Sequence, residues 1–336
     1  MIAKNMIDLI GNTPLVEIPS LSKLTGSKIL LKCEHKNPGG SVKDRAALSM
    51  VKKAIADGRL KPGMTIVEGT AGNTGIGLAL VGRALGYKAL IVMPNNQAKE
   101  KERFIELFGA ELKTVPPCPF KDENHFYHTA RRIAEEEPEK YWWANQFENT
   151  DNGDAHFENT GPEIWQQTNG SLDAIVSVAG TGGTISGCSR FLKSKKPNLK
   201  SYLVDPDGSG LYNFFKSGEF KSHGSSMTEG IGIMRLTENF KQAEVDDAWT
   251  FPDQDVVTLA HALRDRDGIV LGSSAALNVI GAIRAAAEIG PGKTIVTFWC
   301  DGGERSLSKL YNEEFLTEKG LDGNKETLEA LVDRLK

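Results

Sequence analysis

Cysteine is scarce in this chain and what there is stands apart: Cys33, Cys118, Cys188 and Cys300, spread over 336 residues without paired spacing. That excludes a disulfide framework and the short paired motifs of a zinc site. Histidine clusters are missing too. His125 and His128 stand three apart but lack a third ligand nearby, so they read as neighbours on a helix surface, and no metal is expected. No charge of one sign dominates: 40 basic against 44 acidic residues leave a net −4, mixed along the chain. This removes the basic face that nucleic acid or an anionic membrane would need. Long hydrophobic runs are absent as well. The opening MIAKNMIDLIGNTP shows neither a signal-like apolar run nor a cleavage pattern, and the most apolar segments are only of strand length. A cytoplasmic protein with reduced cysteines is therefore expected, without a membrane partner.

What is present is a regular alternation. The runs KILLK, TIVEG, KALIVMP, ELKTVP, AIVSVAG, SYLVDP and TIVTFWC are separated by helical patterns such as TGIGLALVGRALG and VVTLAHALRDRDG. This predicts an α/β protein with doubly wound, mostly parallel sheets. In such sheets ligands bind beyond the carboxyl ends of the strands, so the loops after these runs are where chemistry belongs. The length allows two lobes, and the polar stretch NQFENTDNGDAHFENTGPE near residue 150 reads as a crossing between them. Past residue 316 the chain turns polar, then Leu328, Leu331, Val332 and Leu335 form one apolar stripe of a terminal helix. That helix is expected to dock on the body or on a partner subunit.

Three loops carry the chemistry. In SVAGTGGTISG a strand ends at Gly180, Thr181, Gly182, Gly183 and Thr184 before a helix, and backbone N–H groups, helix field and hydroxyls together suit a phosphate. The loop has no lysine, which argues against a Walker A motif. A dinucleotide fingerprint is the nearer rival, with Asp205 as its acid, but Ile185 stands where the third glycine belongs. In EGTAGNTGIGLAL, residues 70–75 place small polar side chains at a helix start, fit for a carboxylate or a phenolic oxygen. In NPGGSVKDR, Ser41 is expected to cap a helix with Asp44 completing a capping-box pair, which leaves Lys43 in the first turn. A cation there is disfavoured, so the amine deprotonates more easily, as a Schiff-base lysine must.

A lysine with a phosphate cradle and no P-loop points to pyridoxal phosphate. The motifs NTPLV, NPGGSVKDR, EGTAGNTGIGLAL, NQFEN, TGPEIW, AGTGGTISG, EGIG, GSSAAL and GGERSLSK, in this order from Leu9 to Leu310, resemble fold-type II pyridoxal-phosphate enzymes. Within that class the resemblance is to the cysteine synthase and cystathionine β-synthase group, with the tryptophan synthase β-like fold. It implies a smaller mobile lobe over residues 45–150, a larger cofactor-binding lobe from 1–44 with 151–316, and a helical extension at 317–336. It further implies that Lys43 holds the cofactor and shuttles the substrate Cα proton. Gly180 to Thr184 would bind the phosphate, Asn73 the ring oxygen, and Ser273 the pyridine nitrogen. Thr70, Ala71, Gly72, Thr74, Gln146 and Gly230 would line the substrate site. A neutral hydroxyl at the ring nitrogen makes a weaker electron sink than a carboxylate would, favouring elimination at Cβ over transamination.

The implied activity is cysteine synthesis from O-acetylserine and sulfide by a homodimer. Cystathionine β-synthase-like replacement and cysteine desulfhydration are alternatives, and a nicotinamide-dependent dehydrogenase is a remote one. Three features depart from the cysteine synthase pattern: Ala71 where serine is usual, Glu229 opening EGIG, and Cys300-Asp301-Gly302-Gly303 near the end of the match. Glu229 and Asp301 are expected either to select a positive substrate group or to be solvated carboxylates.

Overall fold

All seven apolar runs become strands, and three more join them. The computed structural model describes residues 2–70 and 72–336. In chain order the strands are β1 (Leu15–Glu17), β2 (Lys28–Lys32), β3 (Thr65–Gly69), β4 (Lys88–Pro94), β5 (Glu111–Val115), β6 (Tyr141–Trp143), β7 (Ala174–Val178), β8 (Lys200–Pro206), β9 (Asp247–Phe251) and β10 (Thr294–Phe298). They form a six-stranded sheet in the order β1-β2-β10-β7-β8-β9 and a four-stranded sheet in the order β5-β4-β3-β6. Only β1 with β2 runs antiparallel; the rest pair in parallel. The unforeseen strands β1, β6 and β9 all lie at sheet edges, where one side is open and the apolar signal is weakest.

Strand alternation fills both faces of the larger sheet. Ala174, Val176 and Val178 of β7 point into a core shared with the helix Ser273–Ile289, whereas Ile175 points to the other side, against Ile164, Cys188 and Leu192. Each buried valine, leucine or isoleucine among them contributes about 1.5–3 kcal/mol relative to exposure. The smaller sheet has its own core, in which Ile66 and Ile91 meet Ala46, Ala47, Met50 and Val51 of the helix Lys43–Ala56. That helix leaves the larger sheet's β2 and lands on the smaller sheet, so its first residue sits at the junction. Ile7, near the beginning of the chain, also packs into this second core.

The terminal helix Leu328–Leu335 docks on its own chain. Leu328, Leu331, Val332 and Leu335 are buried in the core built on the helices Asp253–Asp267 and Ser273–Ile289, and Arg334 pairs with Asp255 at 2.7 Å. The stripe is therefore not available to a partner subunit.

Candidate active site

Lys43 is the first residue of its helix, one turn position later than a Ser41 cap would give, with Val42 as the residue preceding it. The expected capping box does not form. Ser41 Oγ accepts from the Lys43 N–H at 3.2 Å, while Asp44 turns back to accept from the Gly39 N–H at 2.5 Å. The residue spacing was right for a box, but the tight Gly39-Gly40 turn presents a closer donor. Burial lowers the Lys43 amine well below the ordinary lysine value; neighbouring Cys300 and Asp301 oppose the shift and Lys101 adds to it. Among the described residues the amine has no hydrogen-bond or ion-pair partner.

Behind the lysine helix lies a buried ionic cluster. Glu34 accepts from Arg45 Nε at 2.7 Å and Nη2 at 2.9 Å, from the Thr13 hydroxyl at 2.7 Å and from Asn37 Nδ2 at 2.8 Å. Glu163 takes Arg45 and Lys32, each at 2.7 Å. Two cations and two carboxylates thus anchor the helix two residues beyond Lys43.

The loop after β7 makes the cradle. Gly182 adopts φ 88°, which a side chain would resist, and the helix Gly183–Lys195 starts at the next residue. The N–H groups of Thr181 and Gly182 have no acceptor among the described residues, so the loop offers free donors at the positive end of a 13-residue helix. Side chains that the sequence reading missed brace it. Asn152 donates to Thr181 Oγ1 at 2.9 Å and to the Gln146 carbonyl at 2.8 Å; His156, which burial holds neutral with its pKa down at about 3, lies 3.3 Å from Thr184 Oγ1. Both belong to the polar stretch near residue 150, where the only signal was an unusual density of amides.

The loop after β3 faces this cradle. Asn73 starts the helix Asn73–Ala84, and its Nδ2 donates to Asp301 at 2.7 Å. Its Oδ1 is buried without a partner. The Thr74 hydroxyl donates to Gln146 Oε1 at 2.5 Å, and Gln146 Nε2 is held by the Gly69 carbonyl at 3.2 Å and Glu68 at 3.3 Å. Ala71 lies outside the described residues. Glu229 is not solvated: it bridges Lys101 and Lys309, both at 2.5 Å, and these lysines hold its carboxyl below the usual range against the opposing effect of burial.

A cavity of about 620 Å³ opens where these loops meet. It brings together Lys43, Thr70, Gly72, Asn73, Thr74, Gln146, Gly230 and the whole of Gly180 to Thr184. Ser273 is not on its wall. Ser274 is, beside Cys300. Both serines stand in the first turn of Ser273–Ile289 and are equally buried, at 7% exposure, with Ser274 the one that reaches the wall. Asp205 is also absent from the wall; it accepts the Tyr212 N–H at 2.8 Å instead, which leaves a dinucleotide ribose without its acid.

The residues present fit pyridoxal phosphate: free amides at a helix start for the phosphate, an unpaired buried lysine for the aldehyde, and a buried amide with hydrogen-bonding capacity to spare. Comparison with known proteins agrees. The family described as "Pyridoxal-phosphate dependent enzyme" matches residues 6–301. The chain is 47% identical over 334 residues to "Cysteine synthase 2" of Schizosaccharomyces pombe, covering 93% of this chain and 85% of that protein. Among solved structures it is similar to O-acetylserine sulfhydrylase isoform 3 from Entamoeba histolytica, with a TM-score of 0.85 and 38% identity, covering 100% of this chain and 96% of that one. It is also similar to the O-acetylserine-dependent cystathionine β-synthase from Helicobacter pylori, with a TM-score of 0.84 and 32% identity over 92% and 98% of the two chains.

Proposed function

This chain belongs to the pyridoxal-phosphate-dependent enzymes, and from that premise we propose that it is a cysteine synthase, exchanging the acetate of O-acetylserine for sulfide. The observation that carries the reading is the convergence, in one cavity, of the unpaired Lys43 amine, the Gly180 to Thr184 cradle and the carboxylate-binding loop. When bound, pyridoxal phosphate supplies an electron sink that acidifies the Cα–H of an attached amino acid. Gly180 to Thr184 would hold its phosphate and Asn73 its ring oxygen, while Ser273 and Ser274 offer hydroxyls at the helix start for the ring nitrogen, Ser274 being the one on the cavity wall. Lys43 would hold the aldehyde carbon. The Lys43 amine, which burial favours in its neutral form, would be the base that takes the substrate Cα proton. Across the reaction the Cβ–O bond to acetate would break, a Cβ–S bond to hydrosulfide would form, and Lys43 would return the proton to Cα.

Thr70, Gly72, Thr74 and Gln146 hold the substrate carboxylate, with the Thr74 hydroxyl turning from Gln146 to the incoming anion. On the cavity wall Lys101, Lys121 and Arg235 outnumber Glu229, and this net positive charge suits anionic hydrosulfide and departing acetate better than a cationic substrate. The smaller sheet with residues 45–150 forms the mobile lobe. Its closure excludes water, and the helix Lys99–Leu107 meets the larger part through Lys101 with Glu229 and through Phe104, which lies 4.0 Å beneath the Arg305 guanidinium. With the terminal stripe buried, the exposed Met6, Leu9 and Val16 are the candidate surface of a homodimer, checked by light scattering. No helix among the described residues is long and apolar enough to cross a membrane, and four free cysteines suit the reducing cytoplasm.

The purified protein is expected to show a visible absorption band that borohydride abolishes and that Lys43→Ala lacks. A product assay then compares O-acetylserine, serine, O-phosphoserine and cysteine, each with and without sulfide and homocysteine. Cysteine formation from O-acetylserine and sulfide supports the reading; exclusive release of sulfide from cysteine overturns it.

A further inference from the structure

Asp301 has no task in this mechanism, yet the site is built around it. It is 6% exposed, so it is not the solvated carboxylate that its place in the sequence allowed. Its backbone ties two loops together: it pairs with Ser41 across an antiparallel bridge, as neighbouring Gly302 does with Leu271, and its carbonyl accepts the Gly272 N–H at 3.1 Å. A Cβ on Gly272 would stand 2.0 Å from Asp301 Oδ1, so the carboxylate lies against the residue that opens the 17-residue helix Ser273–Ile289. The dipole of that helix favours negative charge there. Among the described residues the one side-chain hydrogen bond of Asp301 comes from Asn73 Nδ2 at 2.7 Å, and its Oδ1 has no partner.

Lys43 and Arg305 lie within charge range of Asp301, but among the described residues no cation makes an ion pair with it, so its single hydrogen bond is the place to seek its use. An asparagine amide turns easily about χ2 and presents either face. By taking one of the two Nδ2 hydrogens, Asp301 removes that freedom and fixes where the second points. We propose that Asp301 is a positioning residue, which orients the Asn73 amide so that its remaining N–H is aimed at the ring oxygen of the cofactor. This rests on the reading of Asn73 given above.

The test is a double-mutant cycle on holoenzymes reconstituted with pyridoxal phosphate: wild type, Asp301→Ala, Asp301→Asn, Asn73→Ala and Asp301→Ala with Asn73→Ala. Cofactor dissociation, by fluorescence, and the visible absorption maximum are read at one pH. Asp301→Ala is expected to weaken cofactor binding about tenfold, the scale of one charge-assisted hydrogen bond, and to shift the band. Asp301→Asn, whose amide oxygen still accepts from Asn73, stays within about twofold of wild type. In the Asn73→Ala background the further loss disappears. Equal losses with and without Asn73, or an Asp301→Asn as impaired as Asp301→Ala, would show that Asp301 only braces the loops and would overturn the proposal. Asp301→Ser takes the place of Asp301→Ala in the cycle if the latter does not fold. Should wild type itself bind no cofactor and show no visible band, the active-site reading fails first and takes this inference with it.

Discussion

Glu163→Gln isolates the anchor beneath the lysine helix. Among the described residues Glu163 is the only carboxylate ion-paired with both Lys32 and Arg45, and its side chain is 14% exposed. Burial by itself would raise its pKa, but hydrogen bonds and charge from Arg45 and Lys32 outweigh that and hold it at about 2, against an ordinary 4.5. That difference corresponds to about 3 kcal/mol of folding stability at neutral pH. Removing one partner from a buried ion pair likewise costs about 3–5 kcal/mol. Glutamine retains an acceptor for Lys32 and Arg45, so the lower figure is expected. Because folding depresses this pKa, the stabilisation is fully present above pH 4.5 and is lost as pH falls toward about 2. Urea unfolding of wild type and variant, followed by tryptophan fluorescence, should therefore show a gap of about 3 kcal/mol at pH 7 that narrows below pH 4.5. The visible band should keep its wavelength, since Lys43 itself is untouched. A gap under about 1 kcal/mol, or one that stays constant down to pH 3, would refute the electrostatic account.

Three other outcomes follow from the packing. Gly183→Ala would set a Cβ 2.2 Å from Asn152 Oδ1 and push aside the brace of the phosphate loop; cofactor retention on dialysis should fall about tenfold. Leu331→Ala, at a fully buried position of the terminal helix, should cost about 2–5 kcal/mol in urea unfolding, and a near-neutral result would mean the helix is not docked as described. Burial pushes the Cys300 thiol up to about 12 and Cys33 up to about 11, so iodoacetamide at pH 8 should label the partly exposed Cys118 first. Peptide mapping that finds Cys300 labelled as fast as Cys118 would contradict this.

The three loops were legible because each is contiguous: an apolar strand, a run of glycine and small polar residues, then a helical pattern. Such a segment carries its own strand-end geometry and helix field, so the Gly180 to Thr184 loop and Lys43 could be singled out as candidates without knowing their partners, and the fold brings them to one cavity. The family followed from the order of the motifs. Which serine faces the cavity was not readable, because that depends on the rotational phase of the helix Ser273–Ile289, which its packing on β7 and β8 sets. Nor were Asn152, His156 and Asp301, whose roles come from residues 28 to 228 positions away. An isolated aspartate in a sequence reads as a solvated charge. Only tertiary structure could bury Asp301 against a helix start and give it Asn73 as its partner, because hydrogen bonds made across the sheets leave no periodic or local trace in the chain.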